Sequence, residues 1–362
     1  MVPLVNREVV SVPTDIDLVY LWVDSTDPVW QAKKIEALKT LGQHTPAPFA
    51  ARFRNHDELK YSLRSVAQHA PFIRNIYIIT NEQRPTWLNS DARNVFIIDH
   101  KDIFSDSSCL PCFSSNAIET VMHRISGLSE LFLYANDDMF FLNDVSAEDF
   151  LLENGKMRIG FKANLVHIPS NPEHDPFSEQ FVNSCHLMEV ELGKFFRPRI
   201  SLKQWMRLRP FRKNSYLWNY PNHQIQIHSK SIAHEIHDRF PREVSAAMHE
   251  RFRSRQSIDV AGLLLYYTIY KGAAVPVFDK NWLMMSKNDP SRLVRSSRAL
   301  INTPPSRRRK FLCLNDGEYN EHFDWGSHIT HLMESLFPEP SRFEKTTATN
   351  RDVRTREAIM RG

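Results

Sequence analysis

A short apolar run that ends in two adjacent carboxylates constrains the fold of this chain more than any other stretch. Residues 131–135 are Leu-Phe-Leu-Tyr-Ala, which predicts a buried strand, and Asn136, Asp137 and Asp138 follow directly. Two neighbouring carboxylates at a buried strand end are costly unless a cation meets them. In an open α/β sheet, ligands bind at the carboxyl ends of the strands. The stretch therefore predicts either a cation-dependent ligand site or a plain turn in which an aspartate caps a helix.

Strands and helices alternate along the rest of the chain. The predicted order is a strand over 15–24, a helix beginning near Trp30, a helix over 57–69, a strand over 75–81, a short helix from Pro85, a strand over 94–99, a helix from Phe113, a buried helix over 258–271 and a strand over 311–316. This alternation predicts an α/β fold with a mostly parallel sheet flanked by helices.

Basic residues concentrate in two places. Those near the helix over 57–69 form either a solvated basic face or a phosphate clamp. They are Arg52, Arg54, Lys60 and Arg64. The segment 195–213 mixes arginines with Phe and Trp, which suits a nucleic-acid patch, an acceptor-binding insertion or a surface that rests on a membrane. A polyanion binder gains nothing from acidic strand ends, so we expect no nucleic-acid partner.

Composition and cysteine content limit the class of protein. The 362 residues are 42% hydrophobic and 24% charged, as in globular chains, and the net charge of +4 is compatible with phosphate-bearing substrates or an anionic membrane surface. No apolar run is long enough for a secretory leader or a membrane span. The four cysteines predict reduced structural thiols, although Cys109 and Cys112 have redox or zinc spacing. We expect a cytoplasmic protein, free or resting on a membrane face.

Histidines concentrate over 223–251, a segment predicted to be largely helical. His234 and His237 fit one helix face, but the pattern places no third ligand beside them. It therefore favours packed side chains over a zinc site.

Four blocks of sequence occur in a characteristic order. They cover 16–30, 52–150, 223–270 and 311–316, and include Leu-Trp-Val-Asp, Tyr-Ala-Asn-Asp-Asp and Phe-Leu-Cys-Leu-Asn-Asp. Together these blocks resemble the Stealth family of sugar-1-phosphate transferases. That family includes bacterial capsule polymerases and the lysosomal-enzyme N-acetylglucosamine-1-phosphotransferase.

The chain departs from the family pattern in three places. Residues 114–116 are Ser-Ser-Asn where the family has Asn-Ser-His, so any role of that histidine is absent. Extra residues in the third block leave either Arg253 or Arg255 as the family's active-site arginine. The opening of that block keeps only its first histidine, His223, with His228 as a fallback.

The resemblance implies a GT-A-like, Rossmann-like nucleotide-sugar fold and phosphoryl transfer. An acceptor hydroxyl would attack the β-phosphorus of a UDP-sugar, and UMP would leave. A hexose-1-phosphate, with N-acetylhexosamine-1-phosphate as the first choice, would enter a capsule or surface polysaccharide. The alternative is a metal-dependent glycosyltransferase that releases UDP. The implied partners are the UDP-sugar, an oligosaccharide or glycolipid acceptor, the inner face of the bacterial membrane and a second copy of the chain.

The resemblance also implies roles for individual residues. Asp138, His223 and either Arg253 or Arg255 would be catalytic. Asp137 and Asp316 would hold Mg²⁺ or Mn²⁺. The substrate-binding residues would be Trp22, Val23, Asp24, Asn55, Arg64, Thr80, Ser115 and Glu119.

Four parts are expected along the chain. Residues 1–150 would be the nucleotide-sugar-binding α/β part, and 151–215 a basic aromatic insertion for acceptor or membrane contact. Residues 216–340 would be a helical part that completes the site, and 341–362 a flexible tail.

Overall fold

The computed structural model describes residues 15–41, 55–169, 176–192, 215–278, 280–286, 289–315 and 323–345. The basic segment 195–213 and Asp316 lie outside these residues. The strands are β1 (Ile16–Leu21), β2 (Ile73–Thr80), β3 (Val95–Asp99), β4 (Leu131–Asn136), β5 (Met139–Phe141), β6 (Met157–Pro169), β7 (Ser215–Pro221), β8 (Gln226–Ser229), β9 (Ala274–Val277), β10 (Trp282–Ser286) and β11 (Phe311–Asn315). The helices are α1 (Pro28–Thr40), α2 (Glu58–His69), α3 (His100–Ile103), α4 (Ser115–Val121), α5 (Pro176–Leu192), α6 (Lys230–Arg239), α7 (Pro241–Met248), α8 (Val260–Tyr270), α9 (Pro290–Ile301) and α10 (Trp325–Leu336).

The central sheet has the strand order β3-β2-β1-β4-β8. The first four strands are parallel, and β8 joins the edge antiparallel to β4. Two three-stranded sheets, β10-β11-β5 and β7-β6-β9, complete the pairing in the described part of the chain. This arrangement confirms the predicted α/β class with a mostly parallel sheet.

The central strands are apolar along their length because helices cover both faces of the sheet. Five of the six residues of β1 are buried, which is typical of a parallel strand in the middle of a sheet. On one face α2 packs Leu59, Leu63 and Val66 into the largest core cluster of the described residues. On the other face Ala117 and Val121 of α4 pack against the sheet in a second cluster.

Two aspartates near the central sheet have structural roles. Asp27 caps α1, with its side chain accepting a hydrogen bond from the backbone N–H of Val29. At the opposite, amino edge of the sheet, Asp17 is fully buried and accepts hydrogen bonds from Arg74 over 2.7 and 2.9 Å. That buried carboxylate is therefore neutralised within the protein and has a structural role.

Three local predictions were wrong. Residues 85–88 form a turn rather than a short helix. The segment 223–251 is not helical from its start, because Gln226–Ser229 forms β8 before α6 begins. The predicted flexible tail begins too early, since Phe343 is fully buried and Glu344 forms an ion pair with Arg64.

Candidate active site

The carboxyl ends of the parallel strands meet at one edge of the central sheet. Leu21, Thr80 and Asn136 end β1, β2 and β4 at this edge. Leu21 is directly opposite Asn136 in the register of β1 and β4. Asp137 therefore follows at the level of Trp22, at the edge where ligands bind in α/β sheets.

The two adjacent aspartates form the turn between β4 and β5. Asp137 and Asp138 are both half-buried, and a strand rather than a helix follows them. β11 runs antiparallel to β5 and reaches this turn, where the N–H of Leu314 donates to the carbonyl of Asp138 over 2.9 Å. The thiol of Cys313 lies 3.8 Å from Asp138 Oδ2. Continuing the register places Asn315 opposite Asp137, so the end of β11 reaches the Asp-Asp turn.

A polar network inside the protein joins this edge to α4. The hydroxyl of Tyr134 lies 2.8 Å from Glu119 Oε1 and 2.8 Å from Asn136 Oδ1. At the start of α4, the guanidinium of Arg253 donates to Ser115 Oγ over 2.7 Å. Ser115 and Glu119 are one helical turn apart and therefore share a face of α4. The network brings together two predicted substrate-binding residues and a predicted catalytic arginine.

The charges of this network perturb one another. Burial, followed by repulsion from Asp259, raises the pKa of Glu119 from the usual 4.5 to about 7, and the nearby positive charge of Arg253 opposes the rise. Burial also raises the pKa of the Tyr134 hydroxyl, with further contributions from the charges of Glu119 and Asp138. Glu119 as a whole is half-buried, but its carboxyl group lies inside the protein. A carboxyl that titrates near neutral pH beside an arginine is typical of a functional site.

The geometry separates the two candidate arginines. Arg253 points inward, where its charge acts on Glu119, on Asp259 and on His223. Arg255 points outward: its side chain is 44% exposed and forms an ion pair with Glu179 over 3.0 Å. The structure therefore brings Arg253, and not Arg255, to the network.

His223 lies beside two cations. Burial, followed by the charges of Lys162 and Arg253, lowers the pKa of His223 to about 4, so the imidazole is neutral at pH 7. The ammonium of Lys162 lies 4.9 Å from the ring centroid of Tyr220 and 5.9 Å from that of Trp282. Lys162 belongs to β6, in a part of the chain where the sequence pattern was weak, and was not predicted. A lysine between two aromatic residues that are distant in sequence leaves no local signal.

The fallback histidine meets the network through its ring, which lies edge-on to the ring of Tyr134 with centroids 6.0 Å apart. His228 is buried on β8, opposite Phe132 in the register with β4, and its ring stacks on that residue with centroids 5.7 Å apart. Phe132 precedes Asp137 by five positions along the chain, which is roughly 16 Å at the rise of a strand. His223 therefore remains the candidate for chemistry.

Three of the residues implied for substrate binding, Trp22, Val23 and Asp24, follow directly after β1. Trp22 is buried, and Val23 packs against a small aromatic cluster. The carboxylate of Asp24 accepts hydrogen bonds from the backbone N–H of Thr26 over 2.9 Å and from its hydroxyl over 2.7 Å. Thr80 is fully buried at the end of β2. These positions suit a nucleotide pocket, and Asp24 also stabilises a local turn.

The structure gives Arg64 a different role from the predicted phosphate contact. Its guanidinium donates to both carboxylate oxygens of Glu344, over 2.9 and 2.8 Å, and to the carbonyl of Phe337 over 2.9 Å. These bonds fasten α2 to the end of the described chain. Asn55, also implied as a substrate contact, accepts from the backbone N–H of Asp57 at the start of α2.

Carboxylate and amide oxygens at the Asp-Asp turn fit a hard divalent cation. Asp137 and Asp138 offer four oxygens on one turn, and Asn315 stands across from them. Mg²⁺ binds through one or two carboxylates together with substrate phosphates, which matches a half-buried turn better than a closed cage. Asp316, the other predicted metal ligand, lies outside the described residues.

Known proteins resemble this chain in sequence over most of its length. An exopolysaccharide phosphotransferase of Streptomyces coelicolor is 33% identical over 91% of this chain and 52% of that protein. The capsular polysaccharide phosphotransferase SacB of Neisseria meningitidis serogroup A is 30% identical over 91% of this chain and 57% of that protein. The chain therefore spans about half the length of these relatives.

A solved structure is also similar, at a much lower sequence identity. The glycosyltransferase GlyE of Streptococcus pneumoniae has 10% identity and a TM-score of 0.41, covering 88% of this chain and 60% of that chain. Among the described helices, none combines the length and the apolarity needed to cross a membrane.

Family models match the chain in four consecutive regions. The Stealth protein conserved regions 1, 2, 3 and 4 match residues 14–42, 52–159, 222–270 and 305–354. They contain the end of β1, the Asp-Asp turn, His223 with Arg253, and β11, which are the elements of the site described above. These matches cover more than half of the sequence in the order of the family, and the chain is a member of the Stealth family.

Proposed function

We propose that this protein is a sugar-1-phosphate transferase of polysaccharide synthesis. It would transfer a hexose-1-phosphate, with N-acetylhexosamine-1-phosphate as the first choice, from a UDP-sugar to a hydroxyl of a growing glycan and release UMP. The observation that carries the proposal is the meeting of opposite charges at one sheet edge. The Asp137-Asp138 turn and Arg253 are joined through the network of Tyr134 and Glu119. Phosphoryl transfer depends on charge neutralisation and positioning, which such a site supplies.

The cations of the site would hold the transferring phosphoryl group. Arg253 donates to Ser115, which orients its guanidinium. Lys162 lies close enough to His223 to lower its pKa, so a second positive charge acts on this histidine. A planar guanidinium binds phosphate oxygens in pairs, whereas an ammonium acts as a point charge. Together they would bind the negative charge that spreads over the phosphoryl oxygens.

His223 would accept the proton of the attacking hydroxyl. Its low pKa keeps it neutral, and therefore able to take a proton, across the physiological range. The diphosphate would partly cancel the charges of Lys162 and Arg253, which would raise the pKa of His223 towards the range of an effective base. The bond that forms joins the acceptor oxygen to the β-phosphorus, and the bond to the bridging oxygen of UMP breaks.

Mg²⁺ or Mn²⁺, bound by Asp137 and Asp138, would neutralise the diphosphate in the ground state and the leaving UMP. Alternatively, one of these two carboxylates, rather than His223, would accept the proton of the attacking hydroxyl. The acceptor would be an oligosaccharide or glycolipid. We also propose that residues 195–213 bind the acceptor or the membrane, and that the chain associates with a second copy of itself.

Product identity separates this proposal from its nearest alternative. Purified protein would be incubated with Mg²⁺, a panel of UDP-sugars and a glycan acceptor, and the nucleotide products would be separated by chromatography. UMP is expected. UDP would instead identify a glycosyltransferase, because it appears only when the bond between the sugar and the phosphate breaks. Removal of divalent cations by a chelator should abolish UMP release and readdition should restore it.

Two neighbouring arginines provide a matched pair of variants. Arg253→Ala should lower the UMP-release rate by about 10²-fold or more, as when one transition-state contact is lost. Arg255→Ala removes the same charge two residues away and should leave the rate near the parental value. Asp138→Asn and His223→Ala should also lower the rate by about 10²-fold with little change in melting temperature. Equal effects of the two arginine variants would show that Arg253 contributes only to the overall charge.

A further inference from the structure

A group of possible metal ligands lies outside the polar network of the active site. Asp106, Cys109 and His249 each offer one ligand atom, and these atoms all lie within 4.8 Å of one another. Asp106 and Cys109 belong to the loop between α3 and α4, and His249 follows α7. No hydrogen bond described for these three side chains reaches the site residues.

The orientation of His249 points to a positively charged group between it and Asp106. Nδ1 of His249 lies 2.8 Å from the carbonyl oxygen of Ser245, which can only accept, so Nδ1 must carry the hydrogen. Nε2 of the neutral ring then directs a lone pair at Asp106 Oδ2, 3.1 Å away. Two acceptors at that distance repel unless a proton or a metal ion lies between them. A histidine whose other nitrogen donates to a backbone carbonyl is the usual arrangement of a metal ligand.

The third side chain favours a metal ion over a proton. A simple ion pair needs only Asp106 and His249, whereas Cys109 Sγ also lies within 4.8 Å of a ligand atom of each of them. The local fold places it there: the side chain of Asp106 accepts from the backbone N–H of Ser108 over 2.8 Å, and the N–H of Cys109 donates to the carbonyl of Asp106 over 3.2 Å. This turn presents the carboxylate and the thiol on one side.

We propose that Asp106, Cys109 and His249 form a zinc site. Sulfur, imidazole and carboxylate together select zinc over Mg²⁺, which prefers oxygen ligands alone. Three protein ligands leave the fourth tetrahedral position to water. On binding, the sulfur–zinc bond replaces the sulfur–hydrogen bond of Cys109, and the proton passes to solvent.

The ion would hold together two segments that are distant in sequence. Beside the cluster, Arg251 donates to the carbonyl of Ser108 over 3.2 Å, and the N–H of Phe113 donates to the carbonyl of Arg251 over 2.8 Å. From Arg251 the chain continues to Arg253 of the network. A zinc clip between Cys109 and His249 would therefore limit the motion of the segment that carries this arginine.

Zinc stoichiometry tests the proposal without an activity assay. The full chain would be stripped with a chelator, loaded separately with Zn²⁺ and with Mg²⁺, and passed through a desalting column before elemental analysis. About one zinc ion per chain should remain bound and should raise the melting temperature, and Mg²⁺ should not be retained. Replacement of zinc by Co²⁺ should give the sulfur-to-metal absorption band of a thiolate ligand.

Variants assign the ion to this cluster. His249→Gln and Asp106→Asn change side chains that are about half exposed, so both should fold, and each should lose the retained zinc. Cys109→Ser should lose both zinc and the cobalt band. The matched control is His331→Gln, which removes an exposed histidine on α10 and should keep the full stoichiometry. Zinc that survives in His249→Gln, or a parent that retains none, would overturn the proposal and leave an ordinary ion pair.

Discussion

Glu119 offers a quantitative test of the buried network. Its pKa is raised from the usual 4.5 to about 7, chiefly by burial. The unfolded chain therefore ionises this carboxyl at a lower pH than the folded protein does. Stability is lost as the pH rises from 4.5 through 7 and is constant above that. At about 1.4 kcal/mol per pKa unit, the loss reaches on the order of 3 kcal/mol at pH 8.

The substitution Glu119→Gln should remove this pH-dependent loss. The amide oxygen can still accept from the hydroxyl of Tyr134, while buried N–H groups without a partner would add a pH-independent cost of about 1–3 kcal/mol. The variant should therefore gain stability relative to the parent as the pH rises, with a difference that grows by about 3 kcal/mol between pH 4.5 and pH 8. The sign of the slope is the diagnostic quantity.

Urea unfolding at several pH values measures this slope. Glu235→Gln is a matched control, because Glu235 also accepts from a tyrosine hydroxyl, that of Tyr267 over 2.8 Å, but it lies near the surface beside Lys271 and its pKa is lowered. Because its pKa lies below 4.5, this control should be flat from about pH 5.5 to pH 8 and should show a slope of the opposite sign only near and below pH 4.5. A stability difference for Glu119→Gln that does not change with pH would refute the reasoning and would indicate a well-solvated or fully paired carboxylate.

Three further outcomes are expected. Gly160→Ala places a β-carbon 2.6 Å from Gln224 Nε2 and 2.9 Å from Asn222 Nδ2, the two residues that flank His223. The rate of UMP release should therefore fall about tenfold or more while the melting temperature changes little. An unchanged rate would show that residues 222–224 can shift freely. Arg64→Ala should cost about 3–5 kcal/mol of stability, as for a broken buried ion pair, and leave the KM for the UDP-sugar unchanged; the reverse pattern would restore the phosphate-binding role. Acidification from pH 7 to pH 5 should lower the stability of the parent in urea. Burial lowers the pKa of four histidines, which therefore stay neutral in the folded protein, and each costs about 2 kcal/mol of stability at pH 5; the raised pKa of Glu119 offsets this loss only in part. A stability that does not change with pH would contradict these pKa shifts. These histidines are His100, His123, His223 and His228.

Features that depend on neighbours in sequence could be predicted. An apolar run flanked by turn residues identified β1, β2 and β4, because a parallel strand between helices must be apolar on both faces. The Asp-Asp turn could also be recognised, since it is a local arrangement of polar side chains after an apolar run. The sequence thereby placed the acidic half of the candidate site.

The basic half and its connections depended on the tertiary structure. Arg253 and Arg255 are two residues apart, and the sequence around them does not distinguish their roles. Only the packing of the chain turns Arg253 towards Ser115 and Arg255 towards Glu179. Lys162 comes from a strand whose pattern carried no signal.

Long-range pairing also decided the role of Arg64, which meets Glu344 at the far end of the described chain. A sequence pattern reports which positions are buried and with what period, because these depend on local geometry. It does not report which distant charge meets a given side chain, because that depends on how the strands and helices pack in three dimensions.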